Sequence, residues 1–158
     1  VIDRISLDRL DKLHPAIRHD AHVAFLNAWD SCNGIAKPRI TCGVRSLKEQ
    51  ALLFAQGRTS PGKIVTWAKP GQSMHNYGLA IDFCLIVNGK EASWDYCKDF
   101  DKDKVPEWVE IVNAFKDKGF AWGGDWTKKD HPHLEKPMGY TWRELSKMAK
   151  DDNGFLIL

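Results

Sequence analysis

The nine residues Leu79–Val87 read Leu-Ala-Ile-Asp-Phe-Cys-Leu-Ile-Val and stop at Asn88-Gly89. Asn-Gly suits the two positive-φ positions of a type I′ turn, so the run folds back as a hairpin with Lys90 to Trp94 as the returning strand. Side chains alternate along a strand, which puts Leu79, Ile81 and Phe83 on one face and Ala80, Asp82 and Cys84 on the other. Asp82 is thereby aimed away from the bulkiest apolar residues. A carboxylate in mid-strand needs a partner, either a metal ion or a salt bridge to one of the many Lys and Arg residues.

Helical patterns surround this hairpin. Leu7, Leu10 and Leu13, then Ile17, Ala21, Phe25 and Trp29, recur at helical spacing until Asn33-Gly34. Ser6 is the expected start of the first pattern. Arg39 to Val44 reads as a short strand with Ile40, Cys42 and Val44 on one side. Ser46 and Glu49 form a capping box for a helix that should bury Leu47, Ala51 and Phe54 and stop at Gly57. From Arg58 to Ser73 there is no period, only Gly, Pro, Lys and Thr, as in a long surface loop. Glu107 to Lys118 carries Trp108, Val112 and Phe115 on one helix face, and Thr141 with Glu144 caps a last helix burying Trp142, Leu145 and Met148. Phe155 to Leu158 is expected to pack as a final strand.

Helices around a small, mostly antiparallel sheet make an α+β fold. With 158 residues and no repeat or linker, the expectation is one domain over 1–158. A composition of 43% hydrophobic and 28% charged residues excludes a disordered or collagen-like chain. A net charge of +2 gives no reason to expect nucleic acid, and no apolar run is long enough for a membrane span. A monomer is expected. Cys32, Cys42, Cys84 and Cys97 contain no C-x-x-C pair and read as buried thiols, with one disulfide as the alternative.

A second polar cluster, Asp130-His131-Pro132-His133-Leu134-Glu135, follows Gly123-Gly124-Asp125-Trp126. Pro132 keeps it out of a helix interior, and either His131 or His133 suits zinc; alone it also reads as a solvated loop. Joined with His75 and Asp82, it offers two imidazoles and one carboxylate as ligands, an open position for water and a spare carboxylate for the proton. That is the constellation of a hydrolase.

The spacing Ser73-x-His75-x-x-Gly78-x-Ala80-x-Asp82, followed by Asp130-x-x-His133, resembles the zinc peptidases of peptidoglycan. These include phage L-alanyl-D-glutamate endolysins and vancomycin-resistance D-alanyl-D-alanine peptidases, and the likeness is closer to the endolysin-like branch. Leu13-His14-Pro15, Gly43-Val44-Arg45-Ser46, Gln50, Gln56-Gly57-Arg58-Thr59 and Pro61-Gly62-Lys63 extend the likeness. The resemblance implies that His75, Asp82 and His133 hold Zn2+ at the sheet, that Asp130 is the general base and that Arg45 assists at the oxyanion; the alternative for Arg45 is a structural salt bridge. It implies a peptidoglycan stem peptide as substrate, cut between L-alanine and D-glutamate. Ser73 would hydrogen-bond within the site and Trp126 would line the substrate groove. His131 would touch substrate, support a ligand or face water. The alternatives are a D-alanyl-D-alanine bond or a noncatalytic wall-binding module, against which Asp130 argues, since binding alone needs no base. The basic loop of Arg58, Lys63 and Lys69 suits an anionic substrate. The place of action would be the bacterial cell wall, reached by release from the cytoplasm at lysis if phage-encoded and by export otherwise.

Asp99, Asp101, Asp103, Glu107 and Glu110 fall at positions 1, 3, 5, 9 and 12 of an EF-hand-type loop. Lys104 stands at the sixth position, where the turn calls for Gly, and Pro106 at the eighth. The resemblance offers Ca2+ here as a second cofactor, because some similar endolysins are thought to be calcium-regulated through an acidic insertion. The spacing by itself favours a solvated acidic loop. His14, His19 and His22 lack an accompanying carboxylate cage and read as ordinary helix residues.

Overall fold

The computed structural model describes residues 1–158. Helix α1 (Arg4–Asp11) begins one turn before the expected Ser6, because the Asp3 side chain accepts from the Ser6 amide and caps it. Ser6 is instead buried, and its hydroxyl accepts from the Ile40 amide at 2.8 Å, tying the helix to the first strand. Helix α2 (Pro15–Ser31) starts with Pro at its first turn and His14 as its cap, and buries Ile17, Ala21, Ala24, Phe25 and Ala28. Strand β1 (Ala36–Cys42), helix α3 (Leu47–Ala55) and a 3-10 turn (Met74–Tyr77) lead into β2 (Ala80–Val87). The hairpin partner is β3 (Glu91–Ser93); α4 (Glu107–Lys116), β4 (Ala121–Trp122), β5 (His133–Glu135) and the single-turn α5 (Trp142–Leu145) complete the order.

The sheet is antiparallel, in the order β1-β2-β5-β4. β1 runs along one edge of β2, while the other edge is shared by β5 at Ala80–Asp82 and by β3 at Leu85–Val87. Ile40, Ile81, Phe83, Leu85 and Leu134 are buried in one core with Phe25 of α2 and Trp108, Ile111 and Phe115 of α4. Phe83 and Trp108 meet with ring centroids 4.4 Å apart. Each such side chain removed from water contributes about 2–3 kcal/mol. The α+β expectation holds.

Four details differ from the sequence reading. The expected stripe of α3 is not buried: Leu47 is 53% exposed, and only Gln50 of that helix is inside. The helix edges a groove rather than the core. In β1 the register slips between Ile40 and Cys42, so that Ile40 pairs with Phe83 and Cys42 with Asp82. This bulge turns Cys42 to the face opposite Ile40, where strict alternation would have kept the two together. The chain end forms no strand; Leu156 is buried through a single bridge to Lys150, and its carbonyl lies 2.7 Å from His14 Nε2. All four cysteines are free thiols, with Cys32 and Cys84 buried, Cys42 half-buried and Cys97 exposed on the loop after β3.

Candidate active site

The polar face of the sheet puts three chemically active side chains in one row. Cys42 pairs with Asp82 across β1 and β2, and Asp82 pairs with His133 across β2 and β5. Residues directly opposite in an antiparallel ladder share a face. The row therefore follows from the bulge in β1 and the register of β5.

His75 enters from above, on the 3-10 turn. Ser73 caps that turn by accepting from the His75 amide at 3.2 Å. Gly78 ends it at φ 69°, where a Cβ would stand 2.8 Å from the His14 amide nitrogen. Only glycine meets both demands. The imidazole is 3% exposed. Its Nδ1 donates to the Gly43 carbonyl at 2.7 Å, leaving the lone pair on Nε2. Nε2 is buried without a hydrogen-bond partner, 3.3 Å from Asp82 Oδ1.

His133 is held in the same manner from the other side. Its Nε2 lies 2.8 Å from Glu135 Oε1, two residues along the strand, and its Nδ1 faces Asp82 Oδ1 at 3.2 Å. A carboxylate behind an imidazole fixes its tautomer and orientation, as is usual for metal-ligating histidines. The donors also share protons. Burial opposes charge on both rings, but the adjacent Asp82 carboxylate prevails, bringing His75 up to about 10 and His133 up to about 9. Burial likewise opposes charge on Asp82, and the two imidazoles outweigh it, holding its carboxyl far below the usual range.

These residues fit a zinc ion. An orphaned buried nitrogen, a carboxylate oxygen within 3.3 Å of two imidazoles, and backing hydrogen bonds on both rings are what a His, Asp, His set provides. Donor atoms of Cys42, His75 and Asp82 also lie within 4.8 Å of one another, and His133 reaches this group through Asp82. Despite burial, the Cys42 thiol is held below its ordinary pKa by His75 and Arg45.

A groove of about 680 Å³ opens over this row, lined by Arg45, Ser73, Trp126, Asp130 and the His75, Asp82 and His133 set. Asp130 stands at its exposed mouth, with its amide held by the Gly123 carbonyl at 2.9 Å. Crowding by the groove walls raises its carboxyl pKa, with Asp82 adding to the rise and His133 opposing it. Arg45 Nη1 donates to Gln50 Oε1 at 3.0 Å, and its Nη2 is 3.8 Å from Asp82 Oδ2. Gln50, buried on α3, also donates to the Ala68 carbonyl at 2.8 Å and so joins Arg45 to the long loop. Trp126 lies with its ring 5.2 Å from that of His133.

A family profile described as D-alanyl-D-alanine carboxypeptidase matches residues 67–136, the span that holds His75, Asp82, Asp130 and His133. The chain is 47% identical over 124 residues to the peptidoglycan L-alanyl-D-glutamate endopeptidase CwlK of Bacillus subtilis, covering 78% of this chain and 72% of that protein. The chain belongs to this family of peptidoglycan peptidases. It is also 31% identical over 127 residues to an L-alanyl-D-glutamate peptidase of a Listeria phage, covering 79% of this chain and 39% of that protein. The crystal structure of the Serratia marcescens L-Ala D-Glu endopeptidase ChiX superposes with a TM-score of 0.57 at 21% identity, over 90% of this chain and 91% of that one. That likeness is one of fold.

Within this peptidase, His131 is separated from the other site residues. Its ring stacks on Tyr96 at 3.9 Å, and its carbonyl accepts from the indoles of Trp108 and Trp122. The sequence reading did not single out Glu135 as the partner of His133; the signal was its i, i+2 place on the same strand face. Nor did it find Cys42 as a neighbour of His75, which depends on the bulge.

The acidic loop lies apart from the groove. Asp99 accepts from the amides of Lys102 and Lys104, Asp101 from Asp103 and Asp103 from Val105. Glu107, fully buried, accepts from the amides of Phe100 and Asp101. Four of the loop's five carboxylates thus accept from its own backbone. Asp101 Oδ2 and Glu110 Oε2 are buried without partners.

Proposed function

We propose that this peptidase hydrolyses the L-alanyl-D-glutamate bond of peptidoglycan stem peptides with Zn2+ held by His75, Asp82 and His133. The reading is carried by one observation: the unpartnered Nε2 of His75 meets Asp82 and His133 at the floor of a groove whose mouth holds Asp130. The activity for which the relatives are named supports the choice of bond. Bound Zn2+ would polarise the scissile carbonyl and acidify the attacking water. Asp130, its carboxyl pKa raised by burial, takes the water proton and passes it to the leaving amine. Arg45, steadied by Gln50, adds positive charge where the oxyanion develops. Glu135 keeps the His133 ring in place.

The proposal includes action by residues 1–158 as one monomeric domain on the bacterial wall, after export or after release at lysis, without nucleic acid. Ser73 serves as the cap that sets His75, and Trp126 as a wall of the groove. For the acidic loop, Ca2+ is a second reading. It is favoured by two carboxylate groups, Asp99, Asp101 and Glu107, and Asp101, Asp103 and Glu110, with oxygens within 4.8 Å. Calorimetry with Ca2+ on the zinc-loaded protein tests it, and absence of binding ends it.

Mass spectrometry of digested peptidoglycan, with chelated and zinc-restored protein in parallel, tests the main reading. New L-alanine carboxyl and D-glutamate amino ends, lost with chelator, are expected. Release of D-alanine would shift the bond to the carboxypeptidase alternative, and no cleavage by the zinc-loaded protein would favour the wall-binding one. His75→Ala and His133→Ala should lose both zinc and turnover, whereas Asp130→Asn should keep zinc and lose roughly 10²- to 10⁴-fold in kcat. Full activity in Asp130→Asn would remove it as the base.

A further inference from the structure

The groove contains a cation that the hydrolytic chemistry does not use. Lys128 lies on the segment between Trp126 and Asp130, and its ammonium sits 3.7 Å from the ring centroid of Trp67, on the long loop of the opposite wall. Trp67 is 65% exposed, so the indole is not spent on the core. It is nonetheless fixed. Arg58 donates to the Thr66 carbonyl at 3.0 Å and lies 5.4 Å from the Trp67 ring, and Gln50 holds the next residue, Ala68, through its carbonyl.

Apart from Asp130, the groove's other charged side chains are already engaged. Asp82 and Glu135 are bound up with the two imidazoles, and Arg45 is directed at Gln50 and Asp82. Lys129 donates to the Gly124 carbonyl at 3.0 Å. No carboxylate lies within ion-pair distance of Lys128 or Lys129. An ammonium resting on an aromatic face keeps its charge and part of its hydration, so it remains available to an incoming anion. A groove with an unpaired cation on the same segment as Asp130 is complementary to a substrate with a carboxylate close to the reacting amide.

We infer that Lys128, positioned by Trp67, binds the free carboxylate of the D-glutamyl residue and selects stem peptides in which that group is ionised over those in which it is amidated. A D-glutamyl residue brings two carboxyl groups to the stem; the chain continues through one, and the other is free unless modified. The inference rests on the L-alanyl-D-glutamate reading above and adds to it the substrate feature that is recognised.

The test uses two synthetic stem peptides that differ only in this group, the free acid and its primary amide, with the zinc-loaded protein. The wild type should cleave the acid with a kcat/KM roughly two- to fivefold higher, mainly through KM, the size expected for a partly shielded ion pair. The preference should shrink at high salt. Lys128→Ala should bring the ratio to about one and Lys128→Arg should preserve it, while Trp67→Leu should reduce it with zinc content unchanged. Lys90→Ala, an exposed lysine beyond the hairpin turn, serves as the control. Calorimetry with the Asp130→Asn protein should give the same acid-to-amide ratio in Kd without turnover. Equal cleavage of both peptides, or a preference that survives Lys128→Ala, overturns the inference and leaves the hydrolytic reading intact. Cleavage of neither peptide at this bond overturns both.

Discussion

His133 Nε2 lies 2.8 Å from Glu135, and that contact orients the ring so that Nδ1 faces Asp82. The equivalent choice at His75 is made by the Gly43 carbonyl, a backbone group that no side-chain substitution removes. Glu135 is therefore the point at which the proposed ligand set can be weakened without deleting a ligand. Glu135→Gln keeps an acceptor but loses the charge that favours a donating, well-oriented ring. Zinc affinity should fall by roughly 10- to 100-fold in a competitive chelator titration, with the metal-free fold retained. An unchanged affinity would reduce Glu135 to a structural role.

Two short elements act on the site from outside it. At Gly123 a Cβ would come within contact of the Asp130 carbonyl oxygen and 3.0 Å from its Cβ, so the 3-10 turn Gly123–Asp125 and Asp130, the proposed base, cannot both stay in place if a side chain is added. Gly123→Ala should lower kcat at least tenfold, because small misplacements of a base are costly, while zinc content measured by metal analysis stays the same. In the acidic loop, burial first and Asp103 second push the Glu110 carboxyl up to about 8. The folded state thus holds a proton that the unfolded chain sheds near its ordinary value. This stabilising contribution is complete below pH ~4.5 and is lost as pH rises through about 8. Urea midpoints at pH 5 and pH 8.5 should show a loss for the wild type that is smaller in Glu110→Gln; equal losses would assign the pH dependence to other groups.

Over the whole molecule, one sheet separates an apolar core from the reactive row. Phe83 and Asp82 are adjacent in sequence and point to opposite sides of β2, so the packing of Phe83 against Trp108 fixes the height and direction of the strand that carries Asp82. Phe83→Ala should cost about 3–5 kcal/mol in urea unfolding, with zinc binding weakened as a consequence of lost rigidity. A loss under about 1 kcal/mol would mean that the core repacks around the gap. The ends of the chain are coupled to the same frame. His14 caps α2, bonds the Gly78 carbonyl through its amide and contacts the Leu156 carbonyl through its ring, linking the helices, the His75 turn and the last residues.

Local patterns in the sequence determined much of this protein. Asn88-Gly89 and the alternation of Leu79–Val87 determined the hairpin and the face of Asp82, because a two-residue turn and a two-residue side-chain period are properties of neighbouring residues. The spacing around His75, Asp82, Asp130 and His133 made the family of peptidoglycan peptidases equally legible. Tertiary structure alone decided the rest. The bulge after Ile40 brings Cys42 beside Asp82, and Gln50 replaces the expected apolar stripe of α3 as its buried residue. The Tyr96 stack draws the His131 ring aside, and Lys128 meets Trp67 across the groove. Each is a contact between segments distant in sequence, or a register that can slip by one residue at little local cost. No nearest-neighbour pattern encodes such choices; they are made when the core closes and only one arrangement buries its apolar face.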